Sequence, residues 1–333
     1  MTTRETILAA LRATSSYVSG EVLSQKCGIS RAAVWKQIQK LQEAGYEIES
    51  QKGQGYRLIN GADVLNREEI GRSLPEGWFV PERVFCHDEL DSTNLEARRL
   101  ILQGCGQGTV IVAECQTAGR GRLGRHWESP KGTGIWFSVI LEPGVSLQQT
   151  SQYSFVTAVA VAEAIRQTTG LQAEVKWPND VLIGGRKVCG ILLELVAEMA
   201  QVQQLIAGIG INANQQLEDF PPEVQARATS LAMEQGHPVR RTEILCAVLQ
   251  KLQENCQLLE KDGFDAIRNK WTALSCVIGK EIQIVRQGNT LLSGKAIGLD
   301  ADGALLVQTP QGVESVLAGD VSLRAADGSY RLL

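Results

Sequence analysis

The sequence predicts an α+β chain in three segments: a winged helix-turn-helix over residues 1–62, a central mixed-sheet α/β region over 66–273, and a small SH3-like β-barrel over 274–333. Three observations carry this. Helical apolar stripes give way to a hairpin pattern near residue 46. Strand-like runs then alternate with a long Ala/Val-rich helix, and five short strands crowd into the last segment. At 333 residues the chain exceeds one ordinary core, so two or three domains are expected.

In the first segment Ile7, Leu8 and Leu11 recur at helical spacing. Ser19 caps a second helix that ends at Cys27-Gly28, and Ser30 caps a third. In that third helix Val34, Ile38 and Leu41 form the apolar stripe, leaving Ala33, Lys36, Gln37 and Lys40 on the other side. Strands over 46–50 and 56–59 flank Gln51-Lys52-Gly53-Gln54-Gly55, a basic hairpin tip of the kind that follows a recognition helix as a wing. Residues 1–62 hold eight Lys/Arg against five Asp/Glu, and the remainder 25 against 32, so a basic arm precedes an acidic body. Ser30, Arg31, Lys36, Gln37, Lys40 and Lys52 are the candidate DNA contacts. The same module could instead serve protein contacts.

In the central segment the most informative stretch is Gly119-Arg120-Gly121-Arg122-Leu123-Gly124-Arg125-His126-Trp127. Glycine lets backbone N–H groups face an anion, and arginine supplies donor forks that match phosphate or carboxylate oxygens. Predicted strands at 108–115 and 134–141 flank it, so its literal G-x-G-x-x-G does not open a helix and a dinucleotide fold is not indicated; no P-loop motif is present. Upstream, Thr93 and Glu96 have capping-box spacing at the start of a helix over 93–102. Downstream, a helix over 154–168 is suited to packing on a sheet. Pro178 then breaks a strand and presents Lys176, Asn179 and Asp180. A hairpin at Gly184-Gly185 brings Lys187 back beside them. Read alone, Lys187 is also a surface hairpin lysine and Asp180 a turn former. In Gly208-Ile209-Gly210-Ile211-Asn212 the small residues permit close approach to a ligand.

The last segment begins after amphipathic helices over 240–259 and 264–273, and its strands are expected near 281–285, 290–299, 304–309, 313–318 and 321–324. Eight cysteines without a C-x-x-C read as reduced thiols, and three dispersed histidines give no metal site. No apolar run approaches the ~20 residues that span a bilayer and no secretory signal opens the chain, so a cytoplasmic protein without a membrane partner is expected.

The ordered blocks Asp91-Ser92-Thr93-Asn94, Gln116-Thr117-Ala118 leading into the Gly/Arg loop, Lys176-Trp177-Pro178-Asn179-Asp180, Arg186-Lys187-Val188-Cys189-Gly190 and Gly208-Ile209-Gly210-Ile211-Asn212 resemble the biotin protein ligase family over nearly the whole chain. With a winged helix in front, the resemblance is to its bifunctional ligase and repressor branch. It implies a catalytic domain of the biotin/lipoate ligase, class II synthetase-like type. It also implies biotin and ATP, with Mg²⁺, as substrates, biotinyl-5′-adenylate as intermediate, and transfer to a lysine of a biotin carboxyl carrier protein.

The resemblance assigns Arg120, Arg122, Lys187 and Asp180 to catalysis. It assigns Ser92, Thr93, Asn94, Gln116, Arg120, Gly121, Arg122, Lys187, Gly208 and Gly210 to biotin, and Arg122, Arg125, Trp127, Lys176, Asn179 and Asn212 to ATP or the adenylate. Asn179 and Asp180 are expected to help position ATP with Mg²⁺, and Asp180 to orient or deprotonate the carrier lysine. The Gly/Arg loop is expected to be open or disordered without ligand and to order over the intermediate. A homodimer in the adenylate-bound state would read a palindromic operator. Two alternatives remain at this point: a biotin-sensing transcription factor without ligase activity, and a lipoate-type acyl ligase.

Overall fold

The computed structural model describes residues 2–43, 45–60, 63–144, 146–198, 201–319 and 321–330. The chain divides into two compact units, Met1–Val64 and Leu65–Leu333.

In the first unit the three expected helices are α1 Thr3–Arg12, α2 Gly20–Cys27 and α3 Arg31–Glu43. Thr2 and Glu5 cap α1 reciprocally: the Thr2 N–H donates to Glu5 Oε2 at 2.7 Å and the Glu5 N–H to Thr2 Oγ1 at 3.4 Å. Ser19 Oγ accepts from the Val22 N–H at 3.2 Å, and Ser30 Oγ from the Ala33 N–H at 3.2 Å. Ile7, Leu8, Leu11, Leu23, Val34, Ile38 and Leu41 close a core completed by Tyr46 and Ile48. Strands β1 Glu47–Gln51 and β2 Gly55–Asn60 form the antiparallel wing hairpin. The wing is tied to the helices by paired backbone bonds between Val18 and Tyr56. Position 55 has to be glycine: its φ is +116°, and a Cβ there would fall 2.1 Å from the Val18 carbonyl oxygen.

The second unit begins with α4 Arg67–Ser73, β3 Val84–His87, α5 Thr93–Leu102, β4 Val110–Ala113 and β5 Gly134–Leu141. Helix α6 Gln152–Thr169 leads to β6 Glu174–Lys176, β7 Asp180–Ile183, β8 Arg186–Glu198 and β9 Gln201–Asn212. Short helices α7 Pro222–Gln225 and α8 Leu231–Gln235 precede the long α9 Arg241–Asp262 and α10 Phe264–Leu274. The seven strands β3–β9 form one mixed sheet in the order β3-β4-β5-β9-β8-β7-β6, in which β3 and β4 run parallel and the other neighbours antiparallel.

Alternation along β5 explains where ligands can sit. Ile135, Phe137, Val139 and Leu141 enter the large core with α6 and α9, while Ile140 joins Ala97 and Leu100 of α5 on the other face. Trp136 and Ser138 share that second face. Directly opposite them on β9 stand Gly210 and Gly208. The sheet therefore has one face filled by long helices and one face only partly roofed by α5.

The five expected C-terminal strands are β10 Glu281–Arg286, β11 Asn289–Leu299, β12 Leu305–Thr309, β13 Gly312–Val316 and β14 Ser322–Ala325. They form an antiparallel sheet in the order β13-β12-β11-β10-β14. Its apolar residues Ile282, Ile284, Ala296, Leu305, Val307 and Leu323 join the same core as α6 and α9. This packing is why residues 274–333 form one compact unit with the mixed sheet.

Candidate active site and nucleic-acid interface

A cavity of about 450 Å³ opens where α5, the glycine-bearing stretch of β8 and β9, the Gly/Arg loop and β14 meet. The residues expected to handle small molecules all line it: Ser92, Thr93, Asn94, Gln116, Arg120, Gly121, Arg122, Arg125, Trp127, Lys176, Asn179, Asp180, Lys187, Gly208, Gly210 and Asn212. Its described lining holds seven Lys/Arg against three Asp/Glu, an environment suited to polyphosphate.

At one end the polar groups are locked together. Ser92, not Thr93, holds the N-cap position of α5, and no side chain caps the helix there. The Thr93 N–H donates to Gln116 Oε1 at 2.9 Å, and Gln116 Nε2 donates to Ser129 Oγ at 2.8 Å. The expected capping box is thus not made, because Gln116 takes the amide that a cap would satisfy. Ser138 Oγ lies 2.7 Å from Thr93 Oγ1 and 2.6 Å from Asn94 Oδ1. A Cβ on Gly208 would fall 2.3 Å from Asn94 Oδ1, and one on Gly210 2.5 Å from Trp127 Nε1. These glycines make room for the chain's own side chains, a different reason for small residues from close approach of a ligand.

The charged end is built from the β6–β7 turn and the following hairpin. Lys176 and Asp180 are register partners across the turn, and Gly184 and Gly185, both at positive φ, fold β8 back. Lys187 Nζ then lies 2.5 Å from Asp180 Oδ1 and 5.1 Å from the Trp127 ring. Burial alone would raise the Asp180 pKa, but the Lys187 charge, its hydrogen bond and one from Tyr330 hold the carboxyl below its usual range. Lys176 is 2% exposed, and burial, partly offset by Asp180, pushes its pKa down to about 8.

In the structure the Gly/Arg loop is folded on itself. The Gly121 N–H donates to the Arg125 carbonyl at 2.8 Å and the Trp127 N–H to that of Gly119 at 3.0 Å. Arg122 donates to Asn179 Oδ1 at 3.1 Å and to the carbonyls of Ala318 and Gly319 ahead of β14. Arg125 Nη2 lies 3.4 Å from Ser322 Oγ. Arg120 is exposed at the rim. Asn212 is buried, and its amide donates to the Thr229 carbonyl at 2.9 Å, pinning the loop before α8. Sequence reasoning missed Arg227, Arg324 and Tyr330, which also line the cavity. Their signal is weak because each lies outside the motif blocks.

In the first unit Arg31, Lys36 and Lys40 are exposed on α3 and Lys52 at the wing tip. Ser30 is exposed, with its hydroxyl engaged as a cap. Gln37 is half-buried, and its Oε1 accepts from Arg4 Nε at 3.3 Å. Trp35, absent from the expected set, is 52% exposed on the same outward face. A bulky aromatic one residue after the buried Val34 was the available signal.

Over 312 residues the chain is 39% identical to the bifunctional ligase/repressor BirA of Bacillus subtilis (strain 168), spanning 94% of this chain and 95% of that protein. The chain belongs to the biotin protein ligase family. It is also 31% identical to the Escherichia coli (strain K12) bifunctional ligase/repressor BirA, over 96% of this chain and 97% of that one. Family models match as the Biotin/lipoate A/B protein ligase family over 87–212, an HTH domain over 3–57, and the Biotin protein ligase C terminal domain over 277–324. Among solved structures, the biotin protein ligase from Aquifex aeolicus in complex with biotin and ATP superposes with a TM-score of 0.65 at 35% identity, covering 73% of this chain and 99% of that one. Among the described residues no helix is long and apolar enough to cross a membrane.

Proposed function

We propose that this chain joins biotin and ATP into biotinyl-5′-adenylate in the charged cavity, transfers biotin to a lysine of a biotin carboxyl carrier protein, and represses biotin genes through its winged helix. It is thus a biotin–[acetyl-CoA-carboxylase] ligase and a DNA-binding regulator. The observation that carries the reading is the single cavity in which a neutral hydrogen-bonding end, Thr93–Gln116–Ser138–Asn94, adjoins a cationic end built on Lys176, Lys187 and Arg122.

The first step sets one anion against another: the biotin carboxylate attacks the α-phosphorus and pyrophosphate leaves. Ser92, Thr93, Asn94 and Gln116 hold the vitamin, and Gly208 and Gly210 contribute to its site by making room for Asn94 and Trp127. Arg120, Arg122 and Lys187 face the charge that grows on the phosphoryl oxygens. Arg125, Trp127, Lys176, Asn179 and Asn212 seat the nucleotide. Mg²⁺ would arrive with ATP, and Asn179 and Asp180 would help position that complex.

In the second step the carrier's amine attacks the acyl carbon and AMP departs. A carboxyl held below its usual range is a weak base, so Asp180 orients the incoming amine, and the proton the amine sheds passes to the departing AMP phosphate or to water. The Gly/Arg loop keeps water from the mixed anhydride, and its closing with ligand is part of this reading.

We read residues 1–62, 66–273 and 274–333 as the DNA-binding, catalytic and carboxyl-terminal domains. The protein works in the cytoplasm, and its adenylate-bound form pairs as a homodimer on a palindromic operator. Labelled biotin should reach one lysine of a carrier fragment with both ATP and wild-type chain present. Failure of transfer, with the adenylate also absent, refutes the ligase half.

A further inference from the structure

Tyr330 lies after β14, far in sequence from the motif blocks, yet it touches three charged groups of the cavity. Its hydroxyl donates to Asp180 Oδ2 at 2.6 Å. Its carbonyl accepts from Lys176 Nζ at 2.6 Å, and the same ammonium stands 3.4 Å from the centroid of its ring. The guanidinium carbon of Arg324 lies 5.6 Å from that ring.

We propose that Tyr330 is a positioning residue of the adenylation step, which keeps Lys176 and Asp180 apart so that the Lys176 charge stays available to ATP. The inference rests on the ligase reading above. Asp180 already takes the Lys187 ammonium on Oδ1 at 2.5 Å. Across the β6–β7 turn Lys176 is its register partner, so a bare Oδ2 would draw the second lysine onto the same carboxylate. With both ammonium groups on one carboxylate the net charge would be unchanged, but Lys176 would be held at Asp180 instead of being free to face the phosphates. The Tyr330 hydroxyl fills Oδ2 with a neutral donor. Its carbonyl and ring give Lys176 a seat facing the cavity without neutralising it.

The test uses the full chain and measures biotin-dependent pyrophosphate release with ATP varied. Tyr330→Phe removes the hydroxyl and keeps the ring and carbonyl. It should lower kcat/KM for ATP about tenfold, the scale of one hydrogen bond to a charged group, with KM for biotin unchanged. Tyr330→Leu also removes the ring and should raise KM for ATP at least fivefold beyond that. A stepwise pattern, with the Phe variant recovering only part of the ATP KM lost in the Leu variant, is not what a general packing defect produces. Wild-type kinetics in Tyr330→Phe, or equal kcat losses in both variants with unchanged KM for ATP, overturns the inference and leaves the ligase reading intact. If Tyr330→Leu does not fold, Tyr330→Phe decides alone. Absence of pyrophosphate release by the wild-type chain removes the ligase reading and this inference together.

Discussion

The two candidate surfaces of this protein are built on opposite principles. In the cavity the functional side chains already hold one another: Lys187 on Asp180, Arg122 on Asn179, Thr93 on Gln116. On α3 and the wing, Arg31, Lys36, Lys40 and Lys52 extend into solvent. Charges that must stabilise a transition state are fixed in place before the substrate arrives, because reorganising them during reaction would add to the barrier. Charges that meet a polyanion gain from displaced counterions and need no such fixing. Substitutions in the cavity should therefore be large and non-additive, and those on α3 modest, additive and salt-dependent.

The largest effect is expected at Lys187. Lys187→Ala should cut biotin-dependent pyrophosphate release by about 10²–10³-fold, the scale of losing one preorganised donor to developing charge. Adding Asp180→Asn should cost much less than its single effect, since the two act as a pair. Multiplicative losses measured in that double-mutant cycle would break the contrast between the two regions.

Next comes pH. With its pKa pushed down by burial to about 8, Lys176 is charged below that value and neutral above it. The kcat/KM for ATP should fall above about pH 8, while kcat at saturating ATP holds higher, because bound phosphates favour the charged form. Lys176→Arg, which stays charged, should flatten that limb even if it lowers the plateau. An unchanged limb would show that another group sets it.

Smaller effects belong to the first unit. Arg31→Ala, Lys36→Ala and Lys40→Ala should each weaken DNA binding several-fold and lower the salt slope by about 0.9, adding when combined. Gln37→Ala should change affinity less than twofold, since its side chain faces Arg4 in the structure. A Gln37 effect as large as that of Lys36, read by fluorescence anisotropy across a salt series, would place the DNA-facing stripe elsewhere on α3.

Much of this was legible in the sequence because neighbouring residues encode it. The Gly184-Gly185 hairpin fixes Lys187 beside Asp180 through local turn chemistry, and the apolar stripe Val34, Ile38, Leu41 fixes which side of α3 is buried. The Gly/Arg loop joins two core strands as its flanking runs require. What could not be read depends on contacts between distant segments. Tyr330 reaches Asp180 across 150 residues, and Arg122 finds carbonyls at 318 and 319. The Asn212 amide turns to the Thr229 carbonyl, and the Thr93 amide to Gln116 instead of making a cap. Residue type announces that an amide or a lysine will bond; only packing decides to what.

The most direct test of the central claim is a crystal structure of the chain with biotin and a non-hydrolysable ATP analogue. The account predicts biotin against Thr93, Asn94 and Gln116, with the α-phosphate within hydrogen-bonding reach of Lys187 and Arg122. Compounds bound outside this cavity, or an α-phosphate with neither cation in reach, would contradict it.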